Sequence, residues 1–343
     1  MHLAFKKIAA TLGLAVAMGF APSTAKAIDI NPFDFNVYSL GNIGTSGSPY
    51  GSDYQGTAGA AGNAYFSGFS LNDLNATQVV PGFSLVTGGD VTIAGQINNG
   101  GIQAGGNVVV NHSGIFGDIV AGGNLSGPGG TVHGNVTLAG TNNASGSLTI
   151  TGSVTQNTSY VGSLNFAGIN QYLTDFSANI GSQADTTSYV NNYGELVINA
   201  ASGDNYITID GSTLNSAWGV TITGASDSVV YINVDGTNVS LDSTNWSYNG
   251  GITAGDVLLN FADASTLNLS GGNTVNILAA LADVNFSYGV VTGNLITGNL
   301  TGSGQVNLGG FEHSVVPEPS SVLALLAGSM AMMVRRRKRN RAC

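Results

Sequence analysis

The sequence predicts an all-β fold: a three-faced β-solenoid with coils of about 17 residues and one packed α-helix. Three observations lead there. Apolar residues and glycine-rich corners recur with a fixed period, short runs of Val, Ile, Leu and Thr alternate as strands do, and one stretch between two blocks of repeats changes to helical spacing.

The first 27 residues stand apart from this pattern. Lys6 and Lys7 form a basic start, residues 8–20 an apolar run, and Ala25-Lys26-Ala27 a small-x-small cleavage site, so residues 1–27 read as a secretory signal peptide and the mature chain is expected to begin at Ile28.

The repeat is clearest from Phe83 onward. Phe83-Ser-Leu85-Val-Thr87-Gly88-Gly89-Asp90 returns 17 residues later as Gly100-Gly-Ile102-Gln-Ala104-Gly105-Gly106-Asn107. It returns again as Gly117-Asp-Ile119-Val-Ala121-Gly122-Gly123-Asn124, and then as Gly134-Asn-Val136-Thr-Leu138-Ala139-Gly140-Thr141. Leu85, Ile102, Ile119 and Val136 thus share one register, and Thr87, Ala104, Ala121 and Leu138 another. Such a period is too short for a helix pair and lacks the Gly-X-Y repeat of collagen. One strand per face per coil, spaced ~4.8 Å along the axis, accounts for it. The glycines are expected to supply positive φ and close approach at the corners. Asp90, Asn107 and Asn124 occupy one aligned corner and read as a structural ladder rather than a ligand site.

Residues 166–180 carry Phe166, Ile169, Leu173, Phe176 and Ile180 at spacings of three and four, which predicts an amphipathic helix ending near Gly181 and packed on one face. After it, residues 195–199, 206–210, 220–223 and 229–235 alternate as strands, with Asp-Gly turns at Asp210-Gly211 and Asp235-Gly236. Phe261, Leu278 and Leu295 are again 17 apart, so both blocks are expected to share one coil length.

The chain closes on Pro317-Glu318-Pro319, an apolar run over 320–334, and the basic cluster Arg335, Arg336, Arg337, Lys338 and Arg339. As a helix that run would reach about 22 Å, marginal for a hydrocarbon core of roughly 30 Å, and the basic cluster would hold its end in the cytoplasm. Residues 317–343 resemble the PEP-CTERM sorting signal of Gram-negative, exopolysaccharide-producing bacteria. The resemblance implies secretion across the inner membrane, a transient anchor there, processing by an exosortase, and a destination at the cell surface or in the extracellular matrix.

Composition sharpens the picture of residues 28–316, the domain between the two signals. All nine Lys and Arg lie in the terminal segments, while 18 of the 19 acidic residues lie within the domain. A domain without Lys or Arg does not track nucleic-acid phosphates. Its carboxylates must rely on solvent, backbone N–H groups or cations, which makes diffuse calcium binding and self-association plausible; no cofactor is expected. The one cysteine, Cys343, is the last residue, so packing and backbone hydrogen bonds must hold the fold.

A second resemblance spans residues 35–310. Phe35-Asn-Val37, the Gly-Gly-Asn corners, the helix, Val230-Tyr-Ile-Asn-Val-Asp235-Gly236, Leu259-Asn-Phe261, and Ile277-Leu278-Ala279 running on to Gly293-Asn-Leu295 are together similar to the choice-of-anchor A domain. That family takes several anchors, PEP-CTERM among them, and the resemblance implies an adhesive module of bacterial surface proteins. Its Gly-Thr-Ile-Leu-Ala-Pro segment appears here as Asn276-Ile-Leu-Ala-Ala280-Leu281, without the Gly and the Pro. Coils split by a helix also look like the ice-binding proteins of the discontinuous β-helix type.

Catalysis finds little to build on. His112 and His133 fall at different places in their coils, and no Ser, His and Asp pattern marks a nucleophile. Only a carboxylate-pair glycosidase would be open to the domain, with Asp227, Asp235 and Asp242 as its acids, and nothing singles these out. Neither an EF-hand loop nor a calcium nonapeptide occurs. Thr149, Thr151 and Thr155 hint at the Thr-rich row that ice binding uses, while Tyr50, Tyr54, Tyr65 and Phe66 are placed near an N-terminal rim, where they would stack on sugars or cap the open end. The expectation is therefore a non-enzymatic adhesin or structural component of an exopolysaccharide biofilm, with exosortase and surface glycans as partners. An ice-binding or carbohydrate-binding module is the alternative.

Overall fold

The computed structural model describes residues 30–158, 162 and 164–313. The signal peptide and sorting signal expected at 1–27 and 317–343 lie outside them. The described chain is mostly β, with its strands stacked in parallel rows.

The longest row sets the architecture. Val37–Ser39 pairs with Ala58–Ala60 on one side, and from there the row continues through Phe83–Thr87, Gly101–Ala104, Ile119–Ala121 and Val136–Leu138 to Val154–Gln156. On its other side Val37–Ser39 pairs with Leu295–Gly302, followed by Asn276–Thr292, Val257–Asn260, Ser228–Asp235 and Gly203–Asp210. Every one of these pairs is parallel. The first strand of the chain therefore sits in the middle of the stack. The chain climbs from there to one end, crosses back, and fills in the other half until its last rungs dock on its first.

The alternation of the strands explains why this row holds. One inward column runs Ile207, Ile232, Leu259, Ile277, Leu295, Val37, Ala58, Leu85, Ile102, Ile119, Val136 and Val154, each residue the register partner of the next. All are buried except the last, Val154, at the end of the stack. Burying one such aliphatic side chain contributes roughly 1.5–3 kcal/mol, so the column is a principal source of stability. A second row, Ala64–Leu71, Val91–Ile97, Val108–Ile115, Leu125–Val132 and Leu148–Ile150, runs beside the first half of the stack. Its register slips part-way along the strands from Ala64–Leu71 to Leu125–Val132, which bends each long strand across two faces. In the second half a smaller sheet holds Glu195–Asn199, Gly219–Thr223 and Asn245–Asn249 in parallel, with Tyr189–Asn192 joined antiparallel at its edge.

The helix Phe166–Gly181 is the return path. Asn165 caps its first turn by accepting from the Gly168 N–H, and Ile169, Leu173, Ser177 and Ile180 face inward. These meet the outward residues of the long row, Tyr38, Leu258, Leu278 and Ile296, in a second apolar cluster. Tyr38 Oη donates to Asn170, Ser177 Oγ donates to Asn260, and Asn233 Nδ2 donates to the Ile180 carbonyl, so the helix runs along the stack from its centre toward the second half. Replacing Leu173 with Asp is expected to detach it at a cost of several kcal/mol, read as loss of cooperative melting by circular dichroism.

Several sequence expectations are corrected. Among the described residues there are two α-helices, not one: Asp210 does not open a hairpin turn but caps the short helix Gly211–Ser216, its carboxylate accepting from the N–H groups of Ser212 and Thr213. The strand ending at Asp235 runs parallel to its partners as well. The two blocks do not share a coil length. Leu259, Ile277 and Leu295 are partners at intervals of 18, and Gly219 pairs with Asn245, so Phe261, Leu278 and Leu295 share no column. Leu278 faces the helix, whereas Phe261 and Leu295 face the interior. The N-terminal rungs form no rim, because the second half of the chain stacks on them.

Candidate adhesive surface

The corner positions build the most regular polar feature of the molecule. Asp90 Oδ1 accepts from the Asn107 N–H at 2.6 Å, Asn107 Oδ1 from the Asn124 N–H at 2.9 Å, and Asn124 Oδ1 from the Thr141 N–H at 2.8 Å. Upstream, Asn63 serves Asp90, Asn42 serves Asn63, and Asn299 serves Asn42, at 2.7, 2.7 and 2.9 Å. Asn299 Nδ2 in turn donates to Asp283 at 2.8 Å. One ladder therefore runs from Asp283 to Thr141 and crosses the joint between the two halves of the chain. A short side chain with a planar oxygen suits it, since it reaches one rung and no further. The members upstream of Asp90 escape a search by period because insertions between 42, 63 and 90 break the 17-residue spacing.

This ladder also assigns the glycines. The second Gly of each Gly-Gly corner has no positive φ; a Cβ at Gly106 would overlap Asp90 Oδ1, and one at Gly123 would come within 2.5 Å of Asn107 Oδ1. Close approach, not left-handed backbone, is what these corners require.

Other residues singled out in the sequence are dispersed. His112 lies exposed with Nδ1 2.8 Å from Asn111 Oδ1, and His133 stacks on Phe116 at 4.4 Å between ring centroids. Asp227 accepts from Ser202 and Asp242 from Ser270, each at 2.5 Å, while Asp235 lies exposed at a strand end. Depressions of about 380 and 350 Å³ flank Asp235. The deeper-lying amides of the first, Asn233 and Asn260, are already bound to one another and to the helix. Among the described residues no three His, Cys, Asp or Glu converge as a metal site, and no helix is long and apolar enough to cross a membrane.

Tyr50, Tyr54 and Phe66 are wholly interior, packed ring against ring, which corrects the sugar-stacking role considered for these three; Tyr65 is half-buried. Burial pushes the phenols of Tyr50 and Tyr54 well above their ordinary range. Thr149 and Thr155 stand on the outer surface beside Thr131 and Thr137, in two short columns on different rows, and Thr151 lies exposed beyond a strand end.

Two features carry no sequence signal. The first is a histidine–carboxylate hydrogen bond: His313 Nε2 lies 2.6 Å from Asp256 Oδ1. Asp256 also accepts from the N–H and hydroxyl of Thr253. Burial pushes its carboxyl up, but the bonds from His313 and Thr253, with the His313 charge, outweigh that and hold it below the usual carboxylate range. Its contribution is therefore present above an ordinary pKa of 3.8 and is lost as pH falls through the lower folded value. Asp256→Asn is expected to flatten melting temperature against pH below about pH 4, as read by thermal scans. The second feature is a pair of exposed aromatics, Tyr193 and Trp218.

Residues 109–308 match the family described as "Putative Ice-binding-like adhesive domain". No curated protein matches the sequence. Among solved structures, an ice-binding protein from the Antarctic ascomycete Antarctomyces psychrotrophicus is similar over 60% of this chain and 94% of its own, at 16% identity and a TM-score of 0.29. The family match spans more than half of the chain, and the chain belongs to the ice-binding-like adhesive domains.

Proposed function

We propose that the protein is an exported adhesin that works as a three-faced β-solenoid at the cell surface or in an exopolysaccharide matrix, released from its transient anchor by an exosortase, and that it is not an enzyme. The observation that carries this reading is the unbroken twelve-strand row with its polar ladder. At ~4.8 Å per strand it makes a stiff surface of roughly 50 Å, suited to repetitive, multivalent contact. The family's adhesive character supports it. A second reading, ice adhesion, draws on the family's ice-binding-like description and on the outward pairs Thr131–Thr149 and Thr137–Thr155.

Co-sedimentation of the full chain with exopolysaccharide from the producing cells separates the two when ice recrystallisation is measured in parallel. Retention on the polysaccharide without effect on ice supports the first reading; the reverse supports the second. Calcium provides a further check. With 18 carboxylates and no Lys or Arg between residues 28 and 316, millimolar calcium is expected to raise the melting temperature and promote self-association beyond what sodium chloride of matched ionic strength does. Equal effects of the two salts would leave calcium no specific part.

A further inference from the structure

The hairpin Tyr189–Asn192/Glu195–Asn199 turns on two residues, Tyr193 and Gly194, both with positive φ, 51° and 92°. Such a turn favours Asn followed by Gly. A tyrosine in that backbone conformation is strained, and burial does not compensate for it, since Tyr193 is 97% exposed. Its neighbour is Trp218, 56% exposed, one of only two tryptophans in the chain. The indole N–H of Trp218 donates to the Tyr193 carbonyl at 3.1 Å, and its backbone N–H to the Gly194 carbonyl at 3.0 Å. Its ring packs against the Gly194 backbone, where a Cβ would stand 3.0 Å from Cδ1. The turn itself is held by Asn191, which accepts from the Gly194 N–H at 2.8 Å. Val190, 61% exposed, adds apolar surface on the same hairpin. The Trp218 ring is thus fixed at a solvent-facing tip, beside a fully exposed Tyr193 that is placed there at a cost to the backbone.

We propose that Tyr193 and Trp218 form a stacking platform for the pyranose rings of a neutral polysaccharide. The occupant must offer flat C–H faces to the rings and hydroxyls to what surrounds them. Asn191 and Asn192 on the same hairpin and Asn245, whose backbone N–H donates to the Trp218 carbonyl, are exposed, and their amides suit hydroxyl partners. With no Lys or Arg between residues 28 and 316 and 18 carboxylates there, an anionic sugar or an anionic lipid surface is disfavoured, which leaves an uncharged glycan. This site deepens the adhesive reading and rests on it.

The test is affinity electrophoresis of the full chain through gels containing hydroxyethylcellulose, laminarin, alginate or the exopolysaccharide of the producing cells. Wild type should be retarded by a neutral polymer more than by alginate. Tyr193→Asn and Trp218→Ala should each weaken that retardation roughly three- to tenfold. Tyr193→Phe should retain it. Because Asn suits the turn, Tyr193→Asn should melt no lower than wild type, which separates lost binding from lost fold. Undiminished retardation of both weakened variants would overturn the platform and leave the adhesive reading standing. Retardation by alginate alone would overturn its neutral specificity. No retardation by any polymer would overturn both. Loss of self-association on sedimentation in Trp218→Ala, with glycan binding intact, would reassign the pair to a protein contact.

Discussion

Replacing Ile119 with Asp should lower the melting temperature by several degrees. Ile119 is fully buried between Ile102 and Val136 in the column that runs the length of the stack, and the domain offers no Lys or Arg to pair with a new carboxylate. An unpaired charge at such a site costs on the order of 3–5 kcal/mol. For a domain of this size that corresponds to a fall in melting temperature of roughly 5–8 °C. Ile119→Val removes a single methylene and should cost only about 0.5–1.5 kcal/mol. Melting of Ile119→Asp within a degree of wild type would mean that this column does not face the interior.

The second large effect is expected at a glycine. Gly106→Ala leaves φ in an ordinary region, yet the added methyl would overlap the carboxylate of Asp90, which is holding the Asn107 N–H of the next rung. Either the ladder opens or the rung shifts, and overpacking of this kind costs about 1–3 kcal/mol. Gly47→Ala is the matched control, since a Cβ there meets nothing within 4 Å. Chemical denaturation should separate the two variants; equal midpoints would show that the Gly-Gly corners are not dictated by the ladder.

Part of the first half of the stack was legible because four successive rungs there spend the same number of residues. Leu85, Ile102, Ile119 and Val136 repeat at 17, and the register partners follow that spacing. The helix was legible for a similar reason: Ile169, Leu173 and Ile180 lie on one face and are buried together. The second half was not. Its rungs take up the helix Gly211–Ser216 and loops of unequal length, so partners such as Ile232 and Leu259 are 27 apart while Ile277 and Leu295 are 18 apart, and no single period links them. The docking of the last rungs on the first was also out of reach. Val37 and Leu295 are joined by backbone hydrogen bonds that any pair of strands could make.

The surface residues show the same division. The corner positions Asp90, Asn107 and Asn124 stand out because spacing aligns them, and the structure places them in one ladder. Tyr193 and Trp218 lie 25 residues apart in chain segments with no repeat, and only the fold brings them together. Tyr50 and Tyr54 read as surface aromatics only if the N-terminal rungs lie at an end of the stack. With rungs on both sides they became core.

The order of the rungs is the claim on which the surface reading depends, and a single distance tests it. Spin labels on cysteines replacing the exposed residues Gln156 and Asp204, with Cys343→Ser, report the separation of the strands Val154–Gln156 and Gly203–Asp210 by pulsed electron resonance. These strands stand at opposite ends of the twelve-strand row, so at ~4.8 Å per step the expected distance is roughly 50 Å. A stack that simply continued in chain order past the helix would bring the two strands side by side, and a distance below about 20 Å would contradict the account.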